Sequence, residues 1–133
     1  MALLRTAVSL IAGATEALPA ALLQKHPELL AVRVRRGGLP PRIGGWCLGV
    51  ATVAGITLWR TIWLGTSTPP SEELLLHELR HVHQFQDVRA FPLRYIWETV
   101  RRGYHHNRFE VDARQFADER TRGHPGASLS EGA

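Results

Sequence analysis

Two histidines and one glutamate in this sequence have the types and the spacing of a metal site. They belong to the segment His77-Glu78-Leu79-Arg80-His81, an HExxH pattern. On a helix, His77 and His81 lie one turn apart on the same side, so both imidazoles can reach a single ion. Glu78 projects roughly 80° to one side of that direction. The pattern therefore predicts two metal ligands and an acid that contacts a metal-bound water rather than the metal.

Local signals predict that this segment is helical. Ser71 offers a side-chain acceptor as the N-cap, and Glu72 and Glu73 complement the positive end of the helix dipole. The helix is expected to run to about residue 88. The apolar positions that face away from the histidines are Leu75, Leu79 and Val82. One face of this helix is therefore expected to hold a metal, and the opposite face to contact the core.

The polar residues around the pattern are predicted to have different roles. Gln84 follows His77 by seven residues, so it returns to the metal side and is expected to line the cleft. His83 faces well away from the two histidines, and we expect a structural or surface residue. Metal-binding imidazoles usually donate their second N–H group to an acceptor. Asp87 and Asp112 are the candidate acceptors.

A tetrahedral catalytic zinc site needs a third protein ligand and keeps a fourth position for water. The spacing leaves four downstream candidates open: His105, His106, Glu110 and Asp112. Glu110 falls on a predicted helix whose same side carries the small residues Ala113 and Ala117. Small side chains beside a carboxylate permit the close approach of another helix, which favours Glu110. The alternative is that Glu110 is a solvated acid on the helix surface.

Further helices are predicted on both sides of the HExxH segment. The N-terminal helix is expected over 2–17, and a short second helix over 19–25. Beyond the HExxH helix, a helix is expected over 91–102, with Pro92 in its first turn. The last helix is expected over 108–122.

Strands are predicted between these two groups of helices. Residues 31–35 alternate between apolar and basic types, which is typical of a half-buried strand. Residues 46–53 and 56–64 are rich in Val, Ile, Thr and Trp and are expected to form a β-hairpin joined near 54–55. The order of helix, small sheet and three helices predicts an α+β fold with helices on one face of the sheet.

Length and composition exclude several classes of protein. The 133 residues, 44% of them apolar, suit one domain, which we assign to 1–122, with 123–133 as a flexible tail. The single cysteine, Cys47, excludes a disulfide framework and a cysteine-based zinc site. The longest apolar stretch, 6–14, is too short to span a bilayer.

The net charge of +4 is concentrated in the first half of the chain, where 1–70 hold seven cations against two anions. The basic patch comprises Arg33, Arg35, Arg36 and Arg42. We interpret it as a solvated face, with an acidic partner or an anionic membrane surface as the alternative, and expect no nucleic-acid partner. At the N-terminus, 1–14 resemble a secretory signal, but their helical stripe favours a helix packed on the core. A cytoplasmic protein is therefore expected, with export as the alternative.

Three stretches resemble a known family. Residues 75–84 (LLHELRHVHQ) match an HExxHxxQ helix, 54–64 (AGITLWRTIWL) resemble the strand before an active-site helix, and 104–113 (YHHNRFEVDA) resemble a motif that supplies a third ligand. The chain is similar to small zincin metallopeptidases of the gluzincin kind. It is most similar to the metallopeptidase domain named for the core of extracellular contractile injection systems.

The resemblance implies a minimal zincin-like fold with zinc as the cofactor. His77, His81 and Glu110 would be the zinc ligands and Glu78 the general base. Tyr104, His105 or His106 would stabilise the oxyanion, and of these we select Tyr104. The family often has a small or apolar residue where this chain has Arg80, so a cation near the metal is expected.

The expected function is zinc-dependent hydrolysis of peptide bonds through a water that Glu78 activates. The partner would be a peptide or protein substrate, and an extended peptide is expected to pair with the strand before Pro69. The alternative is a non-catalytic module that keeps the zincin scaffold for metal binding or partner docking. The sequence does not determine the oligomeric state.

Overall fold

The structure is a computed structural model that describes residues 1–48 and 54–123. The described residues form six α-helices, one short 3₁₀ helix and a four-stranded sheet, which is an α+β arrangement. In chain order the elements are α1 (Ala2–Ala12), β1 (Ala14–Thr15), α2 (Ala20–Lys25), the 3₁₀ helix (Pro27–Ala31), β2 (Arg33–Arg36), α3 (Leu39–Leu48), β3 (Gly55–Leu58), β4 (Thr61–Leu64), α4 (Glu72–Asp87), α5 (Phe91–Arg102) and α6 (Arg108–Arg122).

The sheet is mixed, with the strand order β1-β2-β4-β3. The two central strands, β2 and β4, are parallel, and Val34 pairs with Ile62 in the middle of the sheet. Both side chains are buried, because the apolar positions of each strand face the helices. The outer strands β1 and β3 each pair antiparallel with a central strand. Within the described part of the chain, one long edge of β3 is therefore open.

The core lies between this sheet and α4. Its fully buried leucines are Leu29, Leu64, Leu75, Leu76 and Leu79. Helix α6 packs against α4 through Ala113 and Ala117, whose small side chains are completely or almost completely buried. This close contact between α4 and α6 brings the end of the HExxH helix beside the start of the last helix.

The last three helices agree with the sequence prediction. Ser71 is the N-cap of α4 and its side chain accepts a hydrogen bond from the Leu74 N–H. Helix α5 spans the predicted residues, and Pro92 lies in its first turn. Asn107 is the N-cap of α6 and accepts from the Phe109 N–H. Local capping signals sufficed to predict these boundaries.

The predicted hairpin was placed wrongly. Residues 46–48 belong to α3, not to a strand, and 49–53 lie outside the described residues. The hairpin instead lies within 55–64, where Leu58 pairs with Thr61 and the turn contains Trp59 and Arg60. The sequence misled for two reasons. Two prolines in the first turn of α3 are compatible with a helix start, and the two-residue turn Trp59-Arg60 lacks the glycine that usually marks a hairpin.

Helix α1 is shorter and more exposed than predicted. It ends at Ala12, because Gly13 has a φ of 71° and a Cβ there would lie 2.5 Å from the carbonyl oxygen of Arg36. None of its residues is buried, so the prediction that it packs on the core was wrong. Its contacts with the described residues are mainly with α3.

The basic patch is partly built into the fold. Arg35 donates hydrogen bonds to the carbonyl oxygens of Ala12 and Gly13, at the C-terminal end of α1. Arg36 pairs with Glu16 at 2.8 Å and donates to the Gly65 carbonyl oxygen. These two guanidinium groups therefore satisfy backbone and carboxylate acceptors and are not part of a solvated face.

No helix of the described residues combines the length and apolar composition that crossing a bilayer requires. The proposed tail 123–133 begins at Gly123, and residues 124–133 lie outside the described residues.

Replacing the two helix caps should have unequal effects on stability. Asn107 is fully buried, and its Nδ2 also donates to the carbonyl oxygen of Tyr95 and to Thr99 Oγ1. Asn107→Ala should lower the free energy of unfolding by about 2–3 kcal/mol, because a helix cap and two part-buried hydrogen bonds are lost. Ser71→Ala, at an exposed cap, should cost only about 0.5–1 kcal/mol. Urea unfolding checks both, and equal losses would contradict the structural role of Asn107.

Candidate metal centre

Three side chains from two helices converge at one point. His77 and His81 come from α4 and Glu110 comes from the first turn of α6. Their ligand atoms all lie within 4.8 Å of one another. His77 Nε2 lies 3.0 Å from Glu110 Oε2, and His81 Nε2 lies 3.2 Å from Glu110 Oε1. The structure thus brings together the three residues expected as metal ligands.

The spacing of these donor atoms fits a metal ion. In a tetrahedral site with bonds of about 2.1 Å, donor atoms lie about 3.4 Å apart. The two nitrogen–oxygen distances in the cluster, each to a different oxygen of the Glu110 carboxylate, are 3.0 and 3.2 Å, which is near that separation. Two imidazoles and one carboxylate are also the ligand types that divalent transition metals accept. His77, His81 and Glu110 could therefore hold a metal ion.

A hydrogen-bond network fixes the orientation of His81. The Gln84 amide nitrogen donates to the Phe109 carbonyl oxygen and to Asp112 Oδ2, so its amide oxygen must accept from His81 Nδ1, at 2.8 Å. With the Nδ1 proton held there, Nε2 is the atom that faces Glu110 and can bind a metal. Gln84 was expected to line the cleft, and it is instead buried beneath it as the acceptor for His81.

Asp87 and Asp112 do not contact the two histidines directly in the way that the sequence predicted, and Arg80 contacts Asp112. Asp112 reaches His81 only through Gln84, and Asp87 is exposed. Arg80 donates to both carboxylate oxygens of Asp112, at 2.7 and 3.3 Å, and its guanidinium lies over the Phe116 ring. Arg80 therefore pairs with Asp112 and anchors the network behind Gln84.

The charged groups of the cluster stabilise one another. Burial opposes ionisation of Glu110, but hydrogen bonds from His77 and His81 hold the pKa of its carboxyl below the usual range. Burial likewise opposes protonation of His81, yet the hydrogen bond to Glu110 and the charge of Glu78 raise its pKa to about 9. The buried carboxylate thus faces a positive partner, a position that a metal cation can take.

Tyr95 is a residue of this site that the sequence reasoning missed. Its phenol donates to Glu110 Oε1 at 2.6 Å from α5. Burial and the negative charge of Glu110 raise the pKa of Tyr95, so the phenol stays protonated and acts as a donor. Spacing from the HExxH segment could not predict this residue, because the contact between Tyr95 and Glu110 depends on how α5 crosses α6. Asn107 fixes that crossing by donating to the Tyr95 carbonyl oxygen.

Glu78 lies on the neighbouring side of α4, against β3. It is buried, with 4% of its surface exposed, and Thr57 Oγ1 donates to its Oε2 at 2.6 Å. Gly55 leaves the necessary space, because a Cβ there would lie 3.0 Å from Glu78 Oε1. The hairpin 55–64 therefore positions this carboxylate, and no sequence pattern predicted the contact with Thr57.

The other candidates lie outside the three-residue cluster. His105 and His106 are exposed and their rings contact each other. His83 lies 3.2 Å from Glu28 and stacks edge-on against Phe116, in agreement with its predicted structural role. Tyr104 is 40% exposed, and burial of its ring together with the charge of Glu110 raises the pKa of its phenol. Tyr104 thus lies near Glu110 at the rim of the site.

Comparison with protein-family models, curated proteins and solved structures finds no match to this chain. The chemical interpretation of the site therefore rests on its own geometry.

Loss of either imidazole should abolish metal binding. We expect the wild-type protein to retain one equivalent of Zn²⁺ or Co²⁺ after equilibrium dialysis, and His77→Ala and His81→Ala to retain much less than one. The matched control is His83→Ala, which removes a histidine of the same helix that lies outside the cluster. Equal retention by all three variants would exclude this cluster as the metal site.

Proposed function

We propose that this protein is a zinc-dependent metallopeptidase of the gluzincin kind. The observation that carries the proposal is the convergence of His77, His81 and Glu110, together with the buried carboxylate of Glu78, whose charge acts on His81. Two histidines and one carboxylate on a helix pair form the ligand set typical of hydrolytic zinc sites, which keep a fourth position open. The proposed family relation to the metallopeptidase domain of contractile injection systems rests on the three sequence stretches described above.

Each residue would have a separate task in this reaction. Zinc, when bound, would lower the pKa of water toward about 7 and polarise the scissile carbonyl. Glu78 would take the proton from the attacking water and return it to the leaving amine. Thr57 and Gly55 would hold Glu78 in place, and Gln84 would orient His81. Tyr104 would donate to the oxyanion from the rim.

The open edge of β3 supports a peptide as the substrate. In the antiparallel pair of β3 and β4, alternate residues point their backbone groups away from the partner strand. The Gly65 N–H donates to the Ala54 carbonyl oxygen, so this alternation directs the backbone groups of Gly55 and Thr57 toward the open edge. Both residues contact Glu78. An extended peptide that paired with this edge would therefore lie beside the proposed base.

Removing the carboxylate of Glu78 should separate catalysis from metal binding. Glu78→Gln keeps the shape of the side chain, so the bound zinc should stay at one equivalent. Hydrolysis of an unstructured protein such as casein should fall by about 100-fold or more, because general-base catalysis contributes about that much. Peptide release measured by mass spectrometry checks the rate, and metal analysis is the control.

A non-catalytic metal-binding module is the alternative that this experiment distinguishes. In that case the wild-type protein and Glu78→Gln would both bind zinc, and neither would release peptides above the level of a His77→Ala control. That outcome would contradict the peptidase proposal and leave the metal site in place.

A methyl group on β3 should impair catalysis without loss of metal. In Gly55→Ala the new Cβ would lie 3.0 Å from Glu78 Oε1 and 3.2 Å from its Cγ and Cδ. The carboxylate is the flexible end of its side chain, so it should shift and lose its alignment while the fold remains. We expect kcat to fall about tenfold or more, since small misplacements of reacting groups are costly. Unchanged kcat would show that the strand does not position the base.

A further inference from the structure

Helix α5 exposes an apolar stripe to solvent. The stripe consists of Leu93, Ile96, Trp97 and Val100, which are 72, 58, 62 and 75% exposed. Their spacing of i, i+3, i+4 and i+7 places all four on one side of the helix. The opposite side is turned inward, where Phe91, Tyr95 and Glu98 contact the rest of the protein. The helix thus has two apolar faces, and only one is covered by the described residues.

The charges beside this stripe all have the same sign. Arg94, Arg101 and Arg102 are exposed, and the single acid of the helix, Glu98, is buried beside Arg102 and Arg108. No carboxylate of the described residues pairs with Arg94 or Arg101. A surface that complements α5 must therefore be apolar in the middle and negative at the margin.

Another exposed apolar side chain lies in the turn of the hairpin. Trp59, in the turn of the hairpin, is 67% exposed and has a φ of 53°, a left-handed conformation that bulky residues rarely adopt. Its ring packs on Phe85, which packs on Phe91 at the start of α5. The exposed Arg60 follows it. An exposed aromatic and a cation therefore lie on this strained turn, which contacts the covered side of α5 through Phe85 and Phe91.

We propose that α5 is an interfacial membrane-binding helix, whose stripe inserts into an anionic bilayer while the flanking arginines contact lipid phosphates. Helices that lie in a membrane interface combine Trp and Leu on one face with arginines on the other. The clustered cations would add electrostatic attraction to anionic lipids. Because Tyr95 on the inward face donates to Glu110, the bilayer would lie about one helix diameter, about 10 Å, from the metal centre.

The proposal is tested by sedimentation of the full chain with vesicles. Phosphatidylcholine vesicles that contain about 30% phosphatidylglycerol should bind the protein, and pure phosphatidylcholine vesicles should bind it much more weakly. Ile96→Ser/Trp97→Ser should lower the partition coefficient about tenfold or more by removing half of the stripe. Arg94→Glu/Arg101→Glu should remove the preference for anionic vesicles and its sensitivity to salt.

The matched control is Leu4→Ser/Leu10→Ser on α1, where both leucines are 70% exposed but belong to a different helix. This variant should bind anionic vesicles as the wild type does. Absence of vesicle binding by the wild type would overturn the proposal, and so would equal losses of vesicle binding in the control and in Ile96→Ser/Trp97→Ser. It would also be overturned if the wild type were a dimer without lipid and Ile96→Ser/Trp97→Ser were a monomer. Glu78→Gln should bind vesicles normally, so failure of the peptidase proposal would not be mistaken for failure of this one.

Discussion

The buried carboxylate of Glu110 is the constraint around which the described part of the protein is arranged. It is only 2% exposed and contacts two imidazoles of α4 and the phenol of α5. A buried charge without partners is strongly destabilising. Because the first turn of α6 carries Glu110, α4 and α5 must pack so that their imidazole and phenol donors reach its carboxylate. The alanines of α6 permit this approach because they bring its axis close to α4. The packing of these three helices against one another therefore also brings the residues of the site together.

Helices hold His81 in place, whereas the sheet holds Glu78 in place. His81 depends on a network within the helical layer, in which Gln84, Asp112 and Arg80 hold one another. Glu78 depends on the sheet, since Thr57 and Gly55 belong to β3. A change in the hairpin can therefore move the acid and leave the ligands in place. This separation would allow the proposed metal binding and the proposed proton transfer to be altered independently.

The sequence predicted those parts of the molecule that local chemistry determines. Ser71 and Asn107 marked helix starts because a cap acts within three residues, and HExxH placed two histidines on one side of a helix for the same reason. Spacing alone left Glu110 among four candidates, because its distance from α4 depends on how two helices cross. The hairpin was misplaced because its turn, Trp59-Arg60, lacks glycine and takes a left-handed residue that no propensity favours. Tyr95 and Thr57 were missed because each contact joins elements with no fixed spacing in the chain.

The charge of the cluster gives a physical reason for a divalent ion. Glu78 and Glu110 are both buried, and with neutral imidazoles they would leave two uncompensated negative charges in a low-dielectric region. Protonation of His81, with its pKa raised to about 9, compensates one of them. A divalent cation bound to Nε2 of both histidines would compensate both charges at once and release the proton of His81. The three donors could therefore hold a divalent ion, and such an ion would compensate both buried carboxylates.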